Sequence, residues 1–303
     1  MKKYIALIAL AAALAAATSC KDRFKTNSGA FGPDAPLVSS VSLNVHEETL
    51  TAPGGTLQLT ATVYPEGALN KEVRWSSSKE SIATVSQDGL VTACHPGRAD
   101  ITVTTLDGGK TDVCHVTVEG PVPKAVDLGL SVKWADINVG AISESDPGSY
   151  FAWGEVGTKD LYKDSNYKYR GGDSKPNPPS VLPASEDAAS VNLGGSWRMP
   201  TKDEAQELIS NCTWEKTSVN GKGGWRVSRN GKSIFLPFTG YWDSKLNSLD
   251  KNAAYATSNL KDVSKSAYEG YLCFFYALFI DEDEHMVGGY TGYYGYPVRA
   301  VKP

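Results

Sequence analysis

The chain holds five cysteines and four histidines, few enough for each to be weighed as a ligand or nucleophile. Cys94-His95 and Cys114-His115 form two dipeptides with zinc-ligand chemistry. Zinc needs its ligands to converge, whereas neighbouring residues on a strand point to opposite faces. Cys114 is expected to face a core with Val116 and Val118, leaving His115 outside. Cys94 is expected to share the side of Thr92, away from Val91 and Ala93. His46-Glu47-Glu48 lacks the second histidine of a zinc-protease helix. The one acidic cluster, Asp281-Glu282-Asp283-Glu284, lies between two apolar runs and reads as a solvated hairpin turn. Calcium would need oxygens arriving from several positions. The chain has neither a phosphate-cradling P-loop nor a Gly-x-Ser-x-Gly elbow. No metal, no cofactor and no enzymatic activity are expected.

What remains is aromatic. Tyr290, Tyr293, Tyr294 and Tyr296 are separated by Gly288, Gly289, Gly292 and Gly295, and Trp225, Tyr241 and Trp242 lie in neighbouring Gly-rich stretches. Glycine beside tyrosine gives mobile or tightly turned backbone that can present rings outward. Tyr and Trp offer a flat apolar face with a polar tip, which suits recognition. Tyr290, Tyr293, Tyr294, Tyr296, Trp225 and Trp242 are therefore the candidate ligand-binding residues, with a glycan or a surface protein as the ligand class. The alternative, that several of these rings are core, stays open.

The elements that must carry such a face begin with an export signal. Met1-Lys2-Lys3 precedes an apolar run of about 14 residues, Tyr4 to Ala17, which is a signal-peptide pattern and too short for a spanning helix of roughly 20 residues. Ala17-Thr18-Ser19-Cys20 resembles the lipobox of bacterial lipoproteins, with Ala17 where that family usually has Leu. The resemblance implies acylation of Cys20, which then becomes the mature N-terminus and ties the protein to outer-membrane lipid. Ala15-Ala16-Ala17 also fits the cleavage rule of a plain secretory protein. Lys21-Asp22 resembles the surface-export signal of Bacteroidetes-type lipoproteins, interrupted by Arg23. The expected location is the outer membrane, facing the cell exterior. A net charge of −4 without a basic block argues against nucleic acid. No other segment is long and apolar enough to span a bilayer.

Residues 20–37 read as a lipidated polar tether after a signal peptide at 1–19. From residue 38 to 119 short alternating strands follow: Val41, Leu43 and Val45; Leu57 to Val63; Val73 and Trp75; Ala83 and Val85; Leu90 to Ala93; Ile101 and Val103; Cys114, Val116 and Val118. Turn chemistry stands at Pro53-Gly54-Gly55, Asp88-Gly89, Pro96-Gly97 and Asp107-Gly108-Gly109. Strands at this spacing make a β-sandwich. The run from Val73-Arg74-Trp75 through Ile82-Ala83-Thr84-Val85 and Asp88-Gly89-Leu90 to Ile101-Thr102-Val103-Thr104 resembles the bacterial Ig-like group 2 family. That implies Trp75 between the sheets, Gly89 and Gly97 closing hairpins, and a spacer role. Gly120-Pro121-Val122-Pro123 is a stiff linker.

Residues 124–303 form the second unit. Thr201 and Glu204 make a capping box for one helix that ends near Asn211, with Ala205, Leu208 and Ile209 on one face. Tyr162 to Ser180 is polar and reads as an exposed insert loop. The ordered pieces Val126-Asp127-Leu128-Gly129-Leu130, Trp134-Ala135, Tyr150-Phe151-Ala152-Trp153-Gly154-Glu155, Trp197-Arg198-Met199-Pro200-Thr201 and Pro297-Val298-Arg299 resemble the major paralogous domain family of Bacteroidetes-type surface lipoproteins. That family is similar to the C-type-lectin and sulfatase-modifying-factor fold. It implies paired N- and C-terminal strands, a face of long loops, and packing roles for Trp134, Trp153 and Trp197. The family often has a Cys where this chain has Ile137, which leaves Cys212, the match to a family cysteine, without its usual partner. An oxidising compartment allows disulfides, so Cys94 with Cys114 and Cys212 with Cys273 stay open beside four free thiols. Calcium-lectin motifs are missing, and so is the reactive cysteine pair of formylglycine-generating enzymes.

The expected fold is mainly β, an Ig-like β-sandwich followed by an α+β C-type-lectin-like domain. The expected function is non-catalytic adhesion or ligand binding at the cell surface. The alternatives are a structural or accessory subunit of a surface assembly and a degenerate formylglycine-generating-type enzyme.

Overall fold

The computed structural model describes residues 36–171, 174–266 and 270–303. Cys20, the signal peptide and most of the tether lie outside the described residues. Strand makes up 46% and helix 8%, so the chain is mainly β.

The first strands are β1 (Ser40–Leu43), β2 (Glu47–Thr51), β3 (Thr56–Gln58), β4 (Ala61–Tyr64), β5 (Val73–Ser77), β6 (Ala83–Val85), β7 (Leu90–Ala93), β8 (Gly97–Thr105) and β9 (Thr111–Glu119). They form one sheet in the order β2-β9-β8-β5, a second in the order β3-β7-β6, and a separate β1-β4 pair. The apolar alternation puts Ile101, Val103, Val116 and Val118 of the first sheet against Ala83, Val91 and Ala93 of the second. Trp75 is buried between them as expected. Its ring and the Leu59 carbonyl approach Gly89 so closely that an added Cβ would lie 3.0 and 2.5 Å from them.

Two expectations for this unit need correction. Leu57 to Val63 is not one strand: β3 ends at Gln58, β4 starts at Ala61, and they join different sheets. The inward alternation survives the crossing, with Leu59 and Val63 both buried. Gly97 does not close a hairpin either, because β7 and β8 belong to opposite sheets and Pro96-Gly97 is a crossover between them.

The second unit has β10 (Ala125–Val126), β11 (Lys133–Ala135), β12 (Tyr150–Phe151), helices α1 (Ala188–Leu193) and α2 (Lys202–Asn211), then β13 (Thr213–Val219), β14 (Lys222–Arg229) and β15 (Lys232–Pro237). It continues with β16 (Tyr241–Trp242), β17 (Leu246–Asn247), β18 (Asn252–Ser266), β19 (Gly270–Asp281), β20 (His285–Thr291), β21 (Tyr296–Pro297) and β22 (Val301–Lys302). The sheet β10-β11-β22 brings the unit's first and last strands together. At its centre is β18-β19-β20, whose base is buried on both faces. Ala253, Tyr255, Leu278 and Ile280 meet α2 and the β13-β14-β15 sheet through Leu208, Val227, Ile234 and Leu236. The alternate residues Ala254, Ala256, Phe275 and Ala277 meet Trp153, Ala189, Trp197 and Met199. Trp134, Trp153 and Trp197 are packing residues in these cores.

The capping box forms as expected: Glu204 N–H donates to Thr201 Oγ1 at 3.2 Å, and Thr201 N–H donates to Glu204 Oε2 at 2.8 Å. A second helix, α1, was not expected. Asp187 caps it by accepting from Ser190 N–H at 2.8 Å, and also holds Met199 N–H at 2.9 Å. Six residues are too few to display a helical period, which explains why periodicity missed it. Tyr162 to Ser180 is not a freely exposed loop. Tyr162 and Tyr167 are buried and Tyr169 packs beside them.

Candidate functional site

Three chain segments meet at one end of the second unit. β16 contributes Tyr241 and Trp242, and the turn after β20 contributes Tyr293 and Tyr294. They are stitched together by a reciprocal pair of backbone bonds, Trp242 N–H to Gly295 O at 2.8 Å and Gly295 N–H to Trp242 O at 2.7 Å. The third segment, 159–169, lies underneath. Tyr162 N–H donates to Asp243 O at 2.8 Å, the Tyr162 hydroxyl to Tyr150 O, and the Tyr167 hydroxyl to Trp153 O at 3.0 Å. Glycine makes this stacking possible. An added Cβ at Gly292 would lie 2.4 Å from the Tyr167 phenol oxygen, and one at Gly295 would lie 2.8 Å from the Tyr162 ring. These glycines serve close approach rather than mobility.

The ring contacts fall into two groups. Tyr293 meets Tyr294 edge-on with centroids 4.5 Å apart and Tyr294 lies 5.5 Å from Tyr241, while Trp242, on the opposite face of β16 from Tyr241, lies 6.2 Å from Tyr150. Tyr241, Trp242, Tyr293 and Tyr294 are all half-exposed. The Trp242 indole N–H is buried and has no hydrogen-bond partner among the described residues.

The candidate residues do not all gather here. Tyr296, expected to face outward, is buried between Phe275, Tyr290 and Tyr241, and burial holds its phenol well above the ordinary value. Tyr290 forms the inner shelf, stacked on Phe279 and half-buried, its phenol pushed up by burial to about 12. Trp225 belongs to a separate cluster. It meets Trp214 and His285 edge-on and donates to Asp281 O at 2.7 Å, while Trp214 stacks on His285 with centroids 4.2 Å apart. Burial lowers the His285 pKa. Sequence reasoning passed over Tyr150, Tyr162 and Tyr167, which support the site; the close pairing of tyrosines with Gly292 and Gly295 was its only trace.

The other chemistry is disposed much as the alternation implied. Cys114, Val116 and Val118 are buried and His115 is exposed, paired with Asp100 at 2.8 Å. His95 and His46 are likewise turned to Asp146 and Asp112. No cluster of three or more potential ligands fit for a metal occurs among the described residues. In the acidic turn Asp281 Oδ1 accepts from Asp283 N–H at 2.9 Å and Glu284 N–H at 2.8 Å, so the carboxylate shapes its own hairpin. Cys94, Cys114, Cys212 and Cys273 are all free. Burial pushes the Cys273 thiol up to about 11 and raises that of Cys212, the opposite of what a nucleophilic thiolate needs.

Residues 38–116 match the family model of the bacterial Ig-like domain, group 2. This segment is a bacterial Ig-like domain. The chain is similar, at 45% identity over 87 residues, to an α-L-arabinofuranosidase of Bifidobacterium longum subsp. longum, covering 29% of this chain and 8% of that enzyme. It is 43% identical over 82 residues to an Ig-like virion protein of Serratia phage KSP90, covering 27% of this chain and 31% of that protein. The chain thus spans only a minor part of these relatives. Among solved structures, domains 1-6 of the surface layer protein SbsC align over 69% of this chain and 26% of that one, with 14% identity and a TM-score of 0.25. The Ig-like domain therefore recurs in glycoside hydrolases and in phage proteins alike, as expected of a module that is usually non-catalytic.

Proposed function

We propose that the protein is a surface-anchored binding protein. Cys20 carries the lipid, the Ig-like domain is a spacer, and residues 124–303 recognise a glycan or a surface protein. The observation that carries this reading is the convergence of Tyr241 from strand β16 with Tyr293 and Tyr294 from the turn after β20 into one half-exposed ring cluster, with the half-exposed Trp242 beside it. Flat rings with polar edges suit both sugar and protein surfaces. The acidic turn is occupied with its own backbone, so the reading needs no calcium. The test is a glycan and surface-protein array probed with the protein in calcium and in EDTA, beside a Tyr293→Ala, Tyr294→Ala variant. Saturable binding that survives EDTA and disappears in the variant supports the reading. Binding unchanged in the variant removes this face from it.

One observation favours a second reading, a subunit of a surface assembly. β20 pairs on one side only, with β19, and carries no Lys, Arg, Asp, Glu or Pro. Three other edge strands carry charge, β2 with Glu47 and Glu48, β5 with Arg74 and β13 with Glu215 and Lys216, while the short edges β3 and β6 share with β20 the lack of it. An unguarded edge can accept another strand. Sedimentation over a range of concentrations tests it: self-association suppressed by Val287→Lys supports strand addition, and a monomer throughout opposes it.

A further inference from the structure

The boundary between the Ig-like domain and the second unit has one contact with unusual proton requirements. His95 sits in the crossover between β7 and β8. Its Nδ1 lies 3.0 Å from the Ser81 carbonyl oxygen, within the Ig-like domain. Its Nε2 lies 3.4 Å from Asp146 Oδ2, in the second unit. Both partners are acceptors only. A neutral imidazole has one N–H and can serve just one of them; the imidazolium has two and serves both.

Asp146 is held as firmly as the ring. Its carboxylate accepts from Ile142 N–H at 2.8 Å and Gly148 N–H at 3.1 Å, and its side chain is 10% exposed. Burial works against its charge, but the bonds from His95 and these two amides outweigh it and hold the carboxyl below its ordinary range. It is therefore an anion throughout the range in which histidine titrates. The same turn places Ile142 against the core of the Ig-like domain. The crossover also touches the linker, since an added Cβ at Gly120 would lie 2.2 Å from Pro96 Cγ. Beside these contacts a cleft of about 630 Å³ opens between the units, lined by Arg98, Thr117, Val139, Phe151 and Leu193 among others. The His95–Asp146 ion pair, the Ile142 contact and the Lys79–Asp160 pair thus join the two units around this open space.

We propose that His95 is a proton-operated latch between the Ig-like domain and residues 124–303, closed when the ring carries both protons and released when it carries one. The charged groups at this point are few. Asp146 faces the ring from the second unit, and the Ser81 carbonyl faces it from the Ig-like domain. Lys79, near Ser81 in sequence, is turned to Asp160 across the boundary at 3.8 Å, where the carboxylate is almost fully exposed and the pair is weak. Arg98 borders the cleft on the exposed side. The Asp146 bond raises the His95 pKa and burial opposes it, with a net upward shift. The sign follows: coupling is complete below about pH 6.5, the ordinary histidine value, and is lost as the pH rises through the raised value of the closed form. The closed-to-open ratio falls about tenfold for each unit by which the closed value exceeds the open one.

Nitrogen NMR on the full chain between pH 5 and 8 tests this. The His95 ring nitrogens report protonation, and amide relaxation reports whether residues 38–119 and 124–303 tumble together. The expected result is one common correlation time while both ring nitrogens are protonated, giving way to two shorter ones as His95 loses a proton. His95→Ala is expected to tumble as two units at pH 5 as well as at pH 8, while His115→Ala, whose ring pairs with Asp100 inside the Ig-like domain, retains the transition. A common correlation time that persists through the His95 titration would overturn the proposal, and that outcome needs no variant to be read.

Discussion

Arg299 lies fully buried and meets only neutral oxygens. Its Nε donates to Asn138 Oδ1 at 2.7 Å, Nη1 to the Ala135 and Asp136 carbonyls at 3.0 and 2.9 Å, and Nη2 to the Phe235 carbonyl at 2.8 Å. Burial lowers its pKa without a carboxylate in direct contact to restore it. The guanidinium fork therefore acts as a staple from the C-terminal segment to the residues around β11 and to β15. Arg299→Met removes the donor from three buried acceptors and one part-buried acceptor, and each buried one left unsatisfied costs about 1–3 kcal/mol. A urea melt is expected to show a loss of at least about 3 kcal/mol. A variant within about 0.5 kcal/mol of the parent would mean that the acceptors find other donors. Among the aromatic residues the same scale marks the supports: Tyr150, Tyr162 and Tyr167 donate to backbone carbonyls.

At the scale of elements, the segment 159–169 depends on two glycines far away in sequence. Gly292→Ala places a methyl group where the Tyr167 phenol oxygen now sits, and overpacking of this kind costs about 1–3 kcal/mol. The expected outcome is a lower melting temperature and a changed near-ultraviolet circular dichroism, because Tyr167 and its neighbours must repack. An unchanged spectrum would show that the segment does not lean on the turn. This element was not legible in the sequence, where Tyr162, Tyr167 and Tyr169 stand among lysines, asparagines and glycines and look like a solvated loop. What buries them is a turn more than 120 residues later, and no local pattern encodes that meeting. The strands of the Ig-like domain were legible because each displays the alternation that its burial requires, as in β8, where Ala99, Ile101 and Val103 are buried and the residues between them are not. The crossings from sheet to sheet were less so, since Leu59 and Gly97 obey the same alternation on either side of a change of partner. The candidate site was half legible. Residue type singled out Tyr293, Tyr294 and Trp242, but a Gly-rich neighbourhood looks the same whether its ring ends in the outer layer, in the core like Tyr296, or in another cluster like Trp225.

For the whole molecule, the proposed division of labour rests on where exposed chemistry lies. In the Ig-like domain Cys114 is buried, Cys94 points to the Thr92 carbonyl, and His46 and His115 pair with Asp112 and Asp100. A spacer role fits that arrangement, and the recurrence of the module in proteins of unrelated activity fits it too. In the second unit two aromatic clusters are candidates for the proposed binding role, the layer of Tyr241, Trp242, Tyr293 and Tyr294 and the stack of Trp214, Trp225 and His285. In the stack both indole N–H groups are spent on backbone, Trp225 on Asp281 and Trp214 on Leu208, and His285 Nδ1 is buried without a partner among the described residues. The most direct measurement is a titration of the strongest array ligand into three proteins side by side: the parent, Tyr293→Ala with Tyr294→Ala, and Trp225→Ala. The account predicts that the paired tyrosine variant loses at least tenfold in affinity, about 1.4 kcal/mol, while Trp225→Ala stays within about twofold of the parent. Loss confined to Trp225→Ala, in protein that still melts cooperatively, would contradict it and move recognition to the other cluster.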